Sequence, residues 1–136
     1  MKLSPCISLI FNGQCEAAFK FYERCFGGKI QMMLAWANSP MAADVPPECG
    51  AKILYGRITV GDTDLVGADA LPQHYAKPQG FSVLLNLDAP AEAERIFHAL
   101  AEGGTVHMPL QKTFWAFLYG GVIDQFGIRW EINCAE

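Results

Sequence analysis

The chain repeats itself, and this constrains its fold more than any other feature. Setting positions 18–34 against 94–110 lays Gly27-Gly28 on Gly103-Gly104, Phe21 on Phe97, Met32 on Met108 and Leu34 on Leu110. Upstream, the apolar run 7–11 falls on 83–87 in the same register. A unit of about half the chain therefore occurs twice, as module 1 (about 1–70) and module 2 (about 80–136) of a single domain.

Each module opens with a strand pattern. Ile7, Leu9 and Phe11 alternate with Ser8, Ile10 and Asn12, and Val83, Leu85 and Leu87 alternate with Ser82, Leu84 and Asn86. A helix follows, because Cys15, Ala18, Phe19, Tyr22 and Phe26 recur at i, i+3, i+4 spacing, as do Ala93, Ile96, Phe97 and Leu100. Asp88 before Pro90 reads as a helix start, and each Gly-Gly pair as a helix stop, since glycine tolerates a left-handed cap. Three strands then complete each module, at 29–36, 52–60 and 63–68 in the first and at 105–112, 115–123 and 128–134 in the second. Residues 37–50 hold three prolines and no clear period. They read as a long loop, and loops of that length are usually functional lids or mobile. The fold class is α+β, with the plan βαβββ twice.

Composition narrows the function. Ten Lys+Arg against 14 Asp+Glu give a net charge of −4, with no basic run to hold a phosphate backbone, so no nucleic-acid partner is expected. No apolar stretch approaches the ~20 residues that span a bilayer. Proline at position 5 interrupts any signal-peptide core. The five cysteines are odd in number and irregularly spaced, with no Cys-x-x-Cys, so neither a disulfide framework nor a zinc knuckle is indicated. The expectation is a cytoplasmic chain with no membrane partner. No glycine-rich turn of the Rossmann kind opens a helix after a strand, and no Gly-x-Ser-x-Gly elbow occurs.

Three stretches carry a family resemblance: Leu3-Ser4-Pro5-Cys6-Ile7-Ser8 with Phe21-Tyr22, then Thr113-Phe114-Trp115-Ala116, then Asp124-Gln125-Phe126-Gly127-Ile128-Arg129-Trp130-Glu131-Ile132-Asn133. With the duplicated βαβββ unit, they make the chain resemble the PhnB-like group of the vicinal oxygen chelate (glyoxalase/bleomycin resistance/dioxygenase) superfamily over nearly its whole length. The resemblance implies that eight strands form an open, barrel-like mixed sheet with helices on the convex side and a cavity on the concave side. It also implies a homodimer. PhnB-like sequences often carry a demethylubiquinone methyltransferase label, but nothing in these residues supports methyl transfer.

With helices on one face, strand parity assigns the other. Ile7, Leu9, Phe11, Val83, Leu85, Leu87, Trp130 and Ile132 turn to the helices. Cys6, Ser8, Ser82, Asn86, Arg129, Glu131 and Asn133 turn the opposite way, either into a cavity or onto a wet, open sheet face.

Metal-dependent members of the superfamily take a ligand from the first and last strand of each module. Here those positions fall near Cys6, near Ser82, among 65–67 and at Glu131, and only Glu131 is a good ligand. A catalytic divalent site needs about three protein ligands and an open position. His98 reads as a solvated helix residue, His74 lies in the linker, and His107 stands on a strand at the position repeating Gln31.

Three readings follow, the blandest being a dimer whose cavity has no specific ligand. In the first, the chain binds a small, partly apolar ligand without catalysis and without a cofactor. Its ligand-binding residues are Cys6, Ser82, Trp36, His107, Phe114, Trp115, Tyr119, Glu131 and Asn133: Glu131 supplies charge, Trp115 stacks on a cation or ring, and Asn133 hydrogen-bonds. The aromatic members could equally be core or interface residues. In the second, it is a lyase- or isomerase-type enzyme. Glu131 then either holds a zinc, manganese or nickel ion together with His107 or Cys6, or acts as the catalytic base.

Overall fold

The computed structural model describes residues 1–135. They divide into two compact units, the first Met1–Ala76 and the second from Lys77 onward, each with its own sheet. The first contains β1 (Ile7–Phe11), α1 (Cys15–Phe26), β2 (Lys29–Ala35), β3 (Ile53–Val60) and β4 (Thr63–Asp69). The second contains β5 (Val83–Leu87), α2 (Pro90–Ala101), β6 (Thr105–Gln111), β7 (Leu118–Ile123) and β8 (Arg129–Cys134). Strand order is β1-β4-β3-β2 in one sheet and β5-β8-β7-β6 in the other. In each, the strand before the helix runs parallel to the last strand and all other pairs are antiparallel. The architecture is α+β: two four-stranded mixed sheets, neither closed on itself.

Each helix covers one face of its own sheet. Cys15, Ala18, Phe19 and Tyr22 are buried along α1, and Ala93, Ile96, Phe97 and Leu100 along α2. Gly27 ends α1 in the left-handed conformation, φ 68°. The helices sit close because glycines remove side chains beneath them. A Cβ on Gly67 would come within 2.8 Å of Phe19 Cζ, and one on Gly120 within 2.8 Å of Phe97 Cε2. Asp88 does not cap α2. Ala89 occupies that position and makes no side-chain hydrogen bond. Pro90 opens the helix with a preset φ and no N–H to satisfy, so the turn forms without a carboxylate.

A buried aspartate ties chain segments together in each unit. Asp69 accepts from Cys15 N at 2.9 Å and from Ile53 N at 2.8 Å, tying the start of α1 and of β3 to the end of β4. Asp124 accepts from Phe126 N and Ile128 N and, through Oδ2, from Trp130 Nε1 at 2.8 Å. The Asp-x-Phe-Gly-x-x-Trp run is therefore a folded turn.

Two stretches differ from the sequence reading. Residues 37–50 are not a featureless loop: they fold into short 3-10 turns, and Trp36 N to Lys52 O and Ala37 N to Gly50 O, both 2.9 Å, close the base. The strand expected at 115–123 starts only at Leu118. Thr113 and Ala116 exchange hydrogen bonds, Thr113 N to Ala116 O and Ala116 N to Thr113 Oγ1, both 3.1 Å, which turns the chain before the ladder begins.

Candidate functional site

Strand parity holds where the site is built. Val83, Trp130 and Ile132 are buried beneath α2, whereas Asn86 and Arg129 are exposed and Ser82, Glu131 and Asn133 are half-buried on the other face. In the first unit Leu9 and Phe11 are buried as expected, but Ile7, the first residue of its strand, is 38% exposed.

Glu131 stands at the centre of the second sheet, opposite Gly121 of β7 and Leu84 of β5. Ser82 Oγ donates to Glu131 Oε2 at 2.8 Å. Burial first, then the neighbouring Glu131 carboxylate, push the Tyr119 phenol above its ordinary range. Trp115 packs edge-on against Tyr119, ring centroids 5.2 Å apart, and Phe114 edge-on against Trp115 at 4.8 Å. Asn133 Nδ2 donates to Asn86 Oδ1 at 3.0 Å, leaving Asn133 Oδ1 buried without a partner.

His107 reaches this face through a β-bulge. Val106 pairs with Val122 and Met108 with Gly121, so His107 is the extra residue. Its ring lies over Gly121, where a Cβ would collide with Nε2. Arg129 Nε is 3.3 Å from one ring nitrogen and its Nη2 3.4 Å from the other. Arg129 Nε donates to His107 Nε2, and Nη2 lies beside Nδ1, so one edge of the guanidinium is aimed at the imidazole. Partial desolvation, then the Arg129 charge, lower the His107 pKa, against a smaller opposing pull from Glu131.

The second unit thus brings together Ser82, His107, Trp115, Tyr119, Glu131 and Asn133, with Phe114 at its aromatic edge. Arg129 belongs with them; parity puts it on this face, but its hydrogen bond to His107 depends on a bulge that no periodicity reveals. Cys6 and Trp36 belong to the first unit and are placed by different elements. Cys6, exposed before β1, donates to Asp64 O at 3.1 Å. Trp36, after β2, lines a cavity of about 80 Å³ with Cys49, Lys52 and Asp69.

The donors around Glu131 do not suit a divalent ion. Ser82 already holds one oxygen, and His107 accepts a hydrogen bond from the Arg129 cation. The duplication sets Val66 where the second unit has Glu131, since Ser8 pairs with Val66 as Leu84 pairs with Glu131. Among the described residues, no three His, Cys, Asp or Glu side chains are grouped to hold a metal.

Paired βαβββ units with open mixed sheets define the glyoxalase/bleomycin resistance/dioxygenase fold. A protein of that family from Burkholderia phytofirmans PsJN shares it, with TM-score 0.65 and 13% identity over 96% of each chain. Within this vicinal oxygen chelate superfamily, the chain belongs to the PhnB-like family, whose model, described as 3-demethylubiquinone-9 3-methyltransferase, matches residues 2–133. Protein YjdN of Escherichia coli K12 is 32% identical over 144 residues, covering 100% of this chain and 97% of YjdN. The crystal structure of PA1353 from Pseudomonas aeruginosa is 43% identical, with TM-score 0.89 over 98% of each chain.

Proposed function

We propose that the chain is a small-molecule-binding protein, and that the open face of its second sheet, centred on Glu131, receives a ligand carrying a positive charge beside an apolar or aromatic group. One observation carries this reading. Glu131 is oriented by the Ser82 hydroxyl, yet no cationic side chain pairs with it among the described residues. A half-buried carboxylate held by neutral donors keeps its charge available to a partner. Trp115 and Tyr119 add flat surface beside it, suited to stacking on a ring or cation.

The methyl transfer in the family's description is not part of this proposal, because the chain has no glycine-rich strand-to-helix turn for a Rossmann-type methyl-donor site. On the family resemblance the working state is a homodimer. The free thiols, three of them buried, fit a reducing cytoplasm. No helix among the described residues is long and apolar enough to cross a membrane.

The test is a thermal-shift titration with phenethylamine as a cationic aromatic probe. Stabilisation should grow as RT ln(1 + [L]/Kd) and vanish in Glu131→Gln. Zinc, manganese or nickel retained at stoichiometry after chelator-free purification, and lost in Glu131→Gln, would overturn the reading in favour of a metal-dependent enzyme.

A further inference from the structure

Arg129 and Glu131 are two residues apart on β8 and face the same way, yet neither forms an ion pair among the described residues. Neutral groups hold each charge in place: the imidazole of His107 accepts from the guanidinium, and the hydroxyl of Ser82 donates to the carboxylate. An adjacent acid and base left uncompensated form a two-headed receptor. Resting on the Glu131 reading above, we propose that the ligand is a zwitterion of the α-amino-acid type, its ammonium on Glu131 and its carboxylate on Arg129.

The spacing supports this class. Two residues of strand separate the Cα atoms by about 6.6 Å. An α-amino acid sets its ammonium and carboxylate about 3 Å apart, and a hydrogen bond of about 2.9 Å at each end lets it bridge roughly 7–9 Å. The guanidinium offers paired N–H groups that match a carboxylate. Its Nε–H is donated to the His107 ring, which steadies the guanidinium and leaves the terminal N–H groups for that carboxylate. The aromatic edge formed by Trp115 and Phe114 belongs to the same unit, and Phe114 is 97% exposed, so the side chain favoured is a flat or apolar one.

Isothermal titration with three probes of one skeleton tests the proposal: phenylalanine with both charges, phenethylamine with the ammonium alone, and 3-phenylpropionate with the carboxylate alone. Phenylalanine should bind at least about tenfold more tightly than either single-headed probe, since a charge-assisted hydrogen bond supplies that difference. Arg129→Gln should bring phenylalanine down to the level of phenethylamine and leave phenethylamine unchanged. Equal binding of phenylalanine and phenethylamine by the unmodified protein, or no effect of Arg129→Gln on phenylalanine, would overturn the zwitterion while leaving Glu131 as a cation site. Binding of none of the three would overturn both.

Discussion

Ser82 Oγ sits 2.8 Å from Glu131 Oε2, so the residue just before β5 is tied to the middle of its parallel neighbour β8. The bond fixes a carboxylate that strand geometry alone would leave free to rotate. Removing the hydroxyl in Ser82→Ala should cost only about 0.5–1.5 kcal/mol of stability, because both groups remain open to water. Its larger effect falls on the ligand. Phenethylamine affinity should drop several-fold in a calorimetric titration, because the carboxylate must then be ordered on binding.

Asp124 behaves differently. Three N–H groups converge on it, from Phe126, Ile128 and the Trp130 indole, and the side chain is 3% exposed. Asp124→Ala strands these buried donors and should destabilise the protein by roughly 2–4 kcal/mol, read as a lowered urea midpoint with an unchanged slope. Near-normal stability would show that the turn holds itself.

The imidazole of His107 gives a pH prediction with a definite sign. Its folded pKa lies below the ordinary 6.5, so the unfolded chain binds the proton more readily. The stabilisation tied to the neutral ring is present above the ordinary value and is lost as pH falls through the folded one. In an NMR titration Arg129→Gln should move His107 back up, since a positive neighbour has gone, while Glu131→Gln should move it further down. Equal shifts of the same sign would refute the arrangement.

Tyr119 titrates in the opposite sense. Its pKa is raised above the ordinary 10, so its contribution persists below that value and fades as pH climbs through the folded pKa. Ultraviolet titration of Glu131→Gln should show the phenol ionising earlier than in the unmodified chain.

A glycine beneath α1 supplies a packing test. A Cβ at position 67 would meet Phe19 Cζ at 2.8 Å and Leu9 O at 3.0 Å, one of them backbone that cannot swing aside. Gly67→Ala should cost about 1–3 kcal/mol through overpacking, measurable by chemical denaturation.

The repeat makes the opening of each module legible, because β1, α1 and β2 can be checked against copies seventy-six positions away. Period two placed Glu131, Ser82 and Asn133 on one face, and the structure puts them there. Position 88 misled because an aspartate before a proline resembles a cap, while the proline alone starts the turn. The turn at Thr113 and Ala116 was hidden in an aromatic run that satisfies strand preference, and only reciprocal hydrogen bonds reveal it. Period two gives Arg129 a direction but not its partner, since its hydrogen bond to His107 requires two strands in a register that a bulge shifts by one.

That bulge occurs in both sheets. Gln31 is skipped between the pairs Ile30–Ile58 and Met32–Arg57, just as His107 is skipped in the second unit. A residue outside the ladder can be exchanged without disturbing the alignment of anything that follows it. The two halves fill that place differently: a neutral amide in one, a titratable ring in the other.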